Sequence, residues 1–446
     1  MITNNPSVSS ITYVKNGEKY IEQCVRSVMN QTLSNIEIIV VDGGSSDGTM
    51  SILEKLQAED ERIILMTTEG SVGSQFNAAL DVAVGEYIAV CEGDDYIFPK
   101  KYEKQYNIAK KYNLDVLRAN YYRVFESKGQ KFHYEVDTAP SREQYDILID
   151  CEKNEYMFLN LHVNGFWNGL YSREFLLKNR IYMNETKGAS YQDISFSFFS
   201  QLYAKRILFM KECLHCYRID NPTSSVNSKN CIQMLMTEYG LLKKELESRN
   251  LWEKYQSIFL MWEMYSYDSF SAKLSRDVKD ELLEKIYFNL KSQQVKFELK
   301  NEQIRLKVKQ EINALYGDEK KLFLKLMKDN KKNEEALRYF YGKGIEEKRV
   351  VLFGIGHFGS IVYDYLKLNK KEIILVDNSR SAQEKGFRGQ KIFAPNEYLK
   401  ENDNTIIVAS MNYAEEICGQ LKKMKIDDSR IIVCEDEDFF LKKIFI

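Results

Sequence analysis

Between residues 7 and 116, continuous apolar runs alternate with stretches in which apolar residues recur at helical spacing. The runs at 7–14, 36–41, 62–66 and 86–91 read as strands, and 18–29, 49–58 and 73–84 as the helices between them. Such alternation predicts a parallel sheet with helices on both faces. Residues 206–218 read as a further strand, which would send Cys213 and Cys216 to opposite sides and argues against a zinc site at that C-x-x-C spacing.

From 232 to 346 the pattern becomes long, Lys- and Glu-rich helices without proline, in which Ile304, Val308, Ile312 and Leu315 keep helical spacing. This segment is expected to connect and pack. Charged helices with aromatic faces are compatible with peripheral contact at a membrane, but interspersed charge signs favour a solvated face. Strand–helix alternation returns over 348–446 as a small Rossmann-like α/β unit. Its Gly354-x-Gly356-x-x-Gly359 lies between a strand and a helix, with Asp377 further on, as in a dinucleotide site. The unit is short and lacks partners for hydride chemistry, so a scaffold or homo-oligomer contact, here or through the helical segment, is the plainer expectation. The expected division is 1–231, 232–346 and 347–446.

Composition narrows the partners. The 63 Lys and Arg nearly balance the 65 Asp and Glu, which gives no field to draw nucleic acid. No apolar stretch reaches the ~20 residues that cross a bilayer, and the 8 cysteines have no framework spacing; both suit a cytoplasmic chain.

Two strands end in carboxylates: Asp42, before Gly43-Gly44-Ser45-Ser46-Asp47-Gly48, and the group Glu92-Gly93-Asp94-Asp95. Ligands of parallel α/β sheets bind beyond the carboxyl ends of the strands, so both should face one pocket. Two acidic strand ends with a divalent cation suit a nucleotide diphosphate. Asp47, just before a helix, reads as a cap.

Tyr13-Val-Lys-Asn16-Gly, Ser27-Val-Met-Asn-Gln31, Val41-Asp42-Gly-Gly-Ser-Ser-Asp-Gly-Thr49, Gly73, Asn77, Gly85-Glu-Tyr-Ile and Asp94-Asp95 follow one another in an order and spacing that resembles the nucleotide-binding half of family 2 glycosyltransferases. A looser likeness runs through Trp167-Asn168-Gly, Tyr191-Gln-Asp193 and Tyr217-Arg218 to about residue 230. The resemblance implies a GT-A fold, an inverting mechanism, Mn²⁺ or Mg²⁺, a UDP-sugar donor and a glycan or lipid-linked glycan acceptor in cell-surface polysaccharide or glycoconjugate synthesis. By the same resemblance Thr12, Tyr13, Asn16, Asp42, Asn77, Asp94 and Arg218 would bind the donor, Arg218 together with Ser224 and Ser225 at its diphosphate. Asp94, Asp95 and His215 would hold the metal, whereas Glu92 departs from the family's usual acid. Asp193 would be the base, Glu185 being the next candidate, although Gln192 replaces the acid that commonly precedes it. Trp167 and Asn168 would meet the acceptor by stacking and hydrogen bonding. A nucleotidyltransferase on the same sheet, which would need a glycine-rich basic loop after strand one, and a non-catalytic nucleotide-sugar-binding assembly subunit are the competing readings.

Overall fold

The computed structural model describes residues 5–127, 129–139, 144–150, 165–188, 190–224, 231–271, 276–298, 306–328, 348–399, 403–410, 413–434 and 440–441. Ile304 and Ser225 lie outside them. The chain divides into two compact units, one of Met1–Val124, Glu135–Phe270 and Lys285–Lys309, the other of Phe125–Tyr134, Ser271–Glu284 and Gln310–Ile446. The segment 232–346 is thus shared between them.

The first unit begins with β1 (Val8–Val14), α1 (Ile21–Met29), β2 (Ile36–Asp42), α2 (Thr49–Glu59), β3 (Ile63–Thr67), α3 (Val72–Val82) and β4 (Tyr87–Val90). Every residue of β1, β2 and β4 is buried, as central parallel strands covered on both faces require. The chain continues through β5 (Tyr96–Ile97), α4 (Lys101–Tyr112), β6 (Val116–Ala119), β7 (Tyr121–Ser127), β8 (Gln130–Val136), β9 (Leu148–Asp150) and β10 (Gly169–Ser172). It then forms α5 (Arg173–Lys178), α6 (Asp193–Tyr203), β11 (Arg206–Met210), β12 (His215–Arg218) and α7 (Cys231–Ser248). Among the described residues the large sheet has the order β3-β2-β1-β4-β10-β6-β11-β9, and a smaller one the order β5-β12-β7-β8. Strands β1 to β4 are parallel, while β10 runs antiparallel between β4 and β6. The expected single strand 206–218 is two strands in different sheets, because the chain leaves the large sheet after Met210 and enters the small one at His215.

Apolar residues of β1, β2 and β4 pack with α1, α2 and α4 in one core that includes Val25, Ile38, Val40, Leu53, Ala89 and Tyr102. Glu37, buried in β2, accepts hydrogen bonds from Ser9 Oγ and from the backbone N–H groups of Val84 and Gly85. Three donors satisfy a carboxylate that would otherwise be costly to bury, and they pin the turn before β4 to the sheet. Among the described residues no helix is long and apolar enough to cross a membrane.

The second unit carries a parallel sheet in the order β15-β14-β13-β16-β17, from β13 (Arg349–Phe353), β14 (Glu372–Val376), β15 (Ile392–Phe393), β16 (Ile406–Ala409) and β17 (Ile431–Cys434). Gly354 takes φ +96°, a left-handed conformation open to glycine. A Cβ on Gly359 would stand 1.9 Å from the Gly354 carbonyl oxygen, so the helix His357–Leu368 meets the turn backbone to backbone. Asp377 accepts from the N–H groups of Ile355 (2.7 Å) and Ser379 (2.8 Å). The carboxylate that the motif offers to a ribose therefore holds the glycine turn itself.

One substitution should act with opposite sign at two glycines of this unit. Gly359→Ala forces backbone apart and is expected to cost about 1–3 kcal/mol. Gly419→Ala, on an exposed helix face with nothing within 4 Å of the new methyl, should gain roughly 0.5–1 kcal/mol. Urea unfolding followed by circular dichroism checks both.

Candidate active site

The carboxyl ends of β1, β2 and β4 meet at one end of the large sheet, with Val14 opposite Asp42 and Ile11 opposite Val90. Two turns are tied together there. Asn16, at φ 55°, donates its N–H to Ser45 Oγ and accepts from Ser46 N, both at 2.8 Å. Asp47 accepts from Thr49 N (3.0 Å) and Glu18 N (3.2 Å); it closes an Asx turn ahead of α2 instead of capping it, since Gly48 holds the cap position. Asp42 Oδ2 closes its own turn on Gly44 N (3.0 Å) and Ser45 N (2.9 Å). Its Oδ1, like Thr12 Oγ1, is buried without a hydrogen-bond partner.

Beyond β4 the chain turns, Asp95 N donating to the Glu92 carbonyl at 2.9 Å. Glu92 and Asp94 are half-buried, whereas Asp95 and Ile97 are buried. Tyr13 donates to Glu92 Oε1 at 2.6 Å. Burial, then Asp94 and Asp193, push the Glu92 carboxyl up to about 8. Burial raises Asp94 too, and Asn221 Nδ2 donates to its Oδ2 at 2.7 Å.

Asp95 leads into a buried polar chain. Its Oδ2 lies 2.9 Å from His215 Nε2, and His215 Nδ1 lies 2.8 Å from Lys101 Nζ, all three side chains out of contact with solvent. Burial, then Lys101, hold the imidazole well below its usual pKa, and burial lowers Lys101 to about 8. A neutral ring that accepts from the lysine and donates to the carboxylate satisfies both neighbours. Asp95 Oδ1 takes the N–H of Arg218 (2.9 Å). The Arg218 guanidinium donates to the Asp94 carbonyl (2.9 Å) and to Gln23 (2.9 Å), and it lies over the Tyr20 ring.

Asp95 and His215 are both engaged inside the protein: each Asp95 oxygen takes one donor, and His215 uses both ring nitrogens, which leaves the imidazole none for a metal ion. Among the described residues no three His, Cys, Asp or Glu side chains converge on a point that would hold a metal ion. Trp167 and Asn168 also differ from expectation. Trp167, 6% exposed, stacks on Tyr217 (4.8 Å between centroids), lies 4.5 Å from His215 and meets Tyr121 edge-on. Asn168 is buried and donates to the Ala119 carbonyl. Both form the wall behind the site and offer no open face to an acceptor.

Asn77, on α3, bonds Met183 through the backbone N–H and carbonyl (3.0 Å each) and donates to Glu185 (2.9 Å). Its amide thus anchors the loop that leads to Asp193. Asp193 opens α6, and no hydrogen bond from another described residue reaches its carboxylate. Burial pushes it up to about 6, while Arg118 opposes the shift. Arg118 is itself buried and donates to Tyr171 Oη (3.0 Å) and the Gly165 carbonyl (2.9 Å).

Sequence reasoning missed Lys101, since nothing in Pro99-Lys100-Lys101 distinguishes the buried lysine from the exposed one. It also passed over Asn221, which lies in the loop after β12 where no local pattern marks it. His215→Ala should leave Lys101 Nζ and Asp95 Oδ2 buried without the ring that joins them and cost about 3–5 kcal/mol in urea unfolding of the first unit. His215→Gln, which can both accept and donate, should cost less.

Residues 9–179 match the family described as Glycosyl transferase family 2, and residues 346–432 one described as C2185-like, N-terminal. "Putative glycosyltransferase EpsH" of Bacillus subtilis (strain 168) is 31% identical over 261 residues, 56% of this chain and 72% of that protein. Cholesterol galactosyltransferase of Borreliella burgdorferi is 26% identical over 303 residues, 64% of this chain and 81% of that protein. S. aureus TarS 1-349, solved in complex with UDP-GlcNAc, shares the fold of 75% of this chain over 92% of its own, with a TM-score of 0.51 at 17% identity. The first unit has the GT-A fold, and the chain belongs to glycosyltransferase family 2.

Proposed function

We propose that the chain transfers a hexosyl or N-acetylhexosaminyl unit, with inversion, from a UDP-sugar to a hydroxyl of a glycan or lipid-linked glycan in cell-surface polysaccharide or glycoconjugate synthesis. One observation carries this reading: Asp193, bonded to no other described residue and pushed up to about 6, lies in the field of the acidic strand end at Glu92. A base works best when its pKa lies near the operating pH and its lone pairs are free for the incoming hydroxyl. One such carboxylate, with no second acid bonded to it among the described residues, suits direct displacement.

The nucleoside end is supported by Asp42 Oδ1, a buried acceptor without a donor. Leaving such a group unpaired is costly, and a uracil imide or a ribose hydroxyl would satisfy it. The UDP-GlcNAc complex of TarS 1-349 and the galactosyl transfer named for the Borreliella relative agree with this donor class. Arg218, fixed by the Asp94 carbonyl and Gln23, brings a positive charge suited to phosphate oxygens.

The donor set fits a hard cation of the Mg²⁺ or Mn²⁺ kind. Such ions are commonly held by one or two carboxylates and complete their shell with substrate phosphates. Asp94, one oxygen of which is bonded to no other described residue, would hold it beside Glu92, and the bound ion would neutralise charge on the departing diphosphate. Asp95 and His215 would act indirectly, by fixing the strand end.

Asp193→Asn should lower turnover by ~10²-fold or more while UDP binding, measured calorimetrically, stays unchanged. Near-parental turnover would reject Asp193 as the base. The same residue sets a pH dependence. A carboxyl raised to about 6 keeps its proton below that pH and cannot accept another, so kcat should rise with pH through about 6 and then level off. A profile flat from pH 5 to 7 would contradict the assignment.

A further inference from the structure

The loop that delivers Asp193 is held from two sides. On one, Asn77 binds Met183 and Glu185, and Gly73 brings α3 so close that a Cβ there would stand 1.9 Å from the Asn184 carbonyl oxygen. On the other side stands Glu238 of α7, beyond the stretch 9–179 that matches the family. Glu238 is 1% exposed and uses both carboxylate oxygens on this loop: Oε2 accepts from Asn184 Nδ2 at 2.7 Å, and Oε1 accepts from Thr186 Oγ1.

The same Asn184 amide donates to Ser195 Oγ in α6 (3.0 Å), and its backbone N–H closes the loop on the Gln192 carbonyl (3.2 Å). Gln192, next to Asp193, returns its own amide to the carbonyls of Thr186 (2.9 Å) and Gly188 (3.0 Å). One carboxylate of the helical segment thus ties the start of the loop, its middle and the helix that Asp193 begins. A buried carboxylate is expensive unless strong donors meet it. The donors it meets would in turn be orphaned if it were removed.

We propose that Glu238 is a positioning residue of the transfer reaction, clamping the loop from Met183 to Gln192 so that Asp193 is held where it meets the acceptor hydroxyl. The first helix after the GT-A fold is then part of the catalytic apparatus. This rests on the reading of Asp193 as the base. Gln192 bonds the loop to itself, and the carboxylate that buttresses the loop comes from α7.

The test uses the whole 446-residue chain. UDP release from UDP-N-acetylglucosamine and from UDP-glucose, with water as acceptor, is compared for parent, Glu238→Ala, Glu238→Gln and Asp193→Asn, alongside calorimetric UDP binding and amide hydrogen exchange over 183–192. Glu238→Ala should lower kcat by about tenfold to a hundredfold, as a base displaced by an ångström would. It should also speed exchange over 183–192 and leave UDP affinity unchanged. Glu238→Gln, which keeps an acceptor and a donor in place, should recover most of the turnover. Parental kcat in Glu238→Ala with an inactive Asp193→Asn overturns the clamp and leaves the base standing, whereas parental turnover in Asp193→Asn overturns both. Unchanged exchange over 183–192 in folded Glu238→Ala overturns the clamp whatever the donor. Should Glu238→Ala not fold, Thr186→Val removes one clamp bond and must show the same split between kcat and UDP affinity, in milder form.

Discussion

A lysine, a histidine and an aspartate with no route to water hold this active site together. Lys101, His215 and Asp95 form one line, and the backbone of Arg218 closes it. Each group alone would be costly to bury, and together they satisfy one another. The line joins α4, β12 and the turn after β4. It therefore fixes how Asp94 and the Arg218 guanidinium are presented. Trp167 covers the imidazole and is itself backed by Tyr217 and Tyr121.

The turn after β4 then assigns different work to neighbouring acids. Across it Glu92 and Asp94 stay half-buried, while Asp95 is buried. Burial, then Asp94 and Asp193, raise the Glu92 carboxyl, and burial, then Asp94 and Glu92, raise Asp95. Asp95 meets the His215 ring and the Arg218 N–H, whereas Asp94 meets Asn221. Adjacent aspartates in sequence therefore have different partners in the fold.

Much of the fold was legible because the elements that build it are extreme. Strands such as 36–42 are apolar throughout, and the helices between them begin at turn residues. Asp42 and Asp193 were legible from strand ends and from the family likeness. What escaped depends on partners far away in the chain. The burial of Lys101 is decided by His215, the inward turn of Trp167 by Tyr217, and the service of Glu238 by Asn184. No local pattern records those meetings. The break between β11 and β12 was hidden because 206–218 is apolar enough to read as one strand, although it serves two sheets.

The line through Asp95 also has a consequence for how the molecule forms. Its closing bond spans 120 residues of chain, from the turn after β4 to β12. Contacts of such separation are made only after the entropy of closing a long loop has been overcome, and they lag behind local structure. A nascent chain that ends before β12 can build β1 to β4 from contacts near in sequence, yet it must leave Lys101 and Asp95 without the group that joins them. The Asp94 end of the site is thus a late feature of folding, completed by the same strand that carries Arg218.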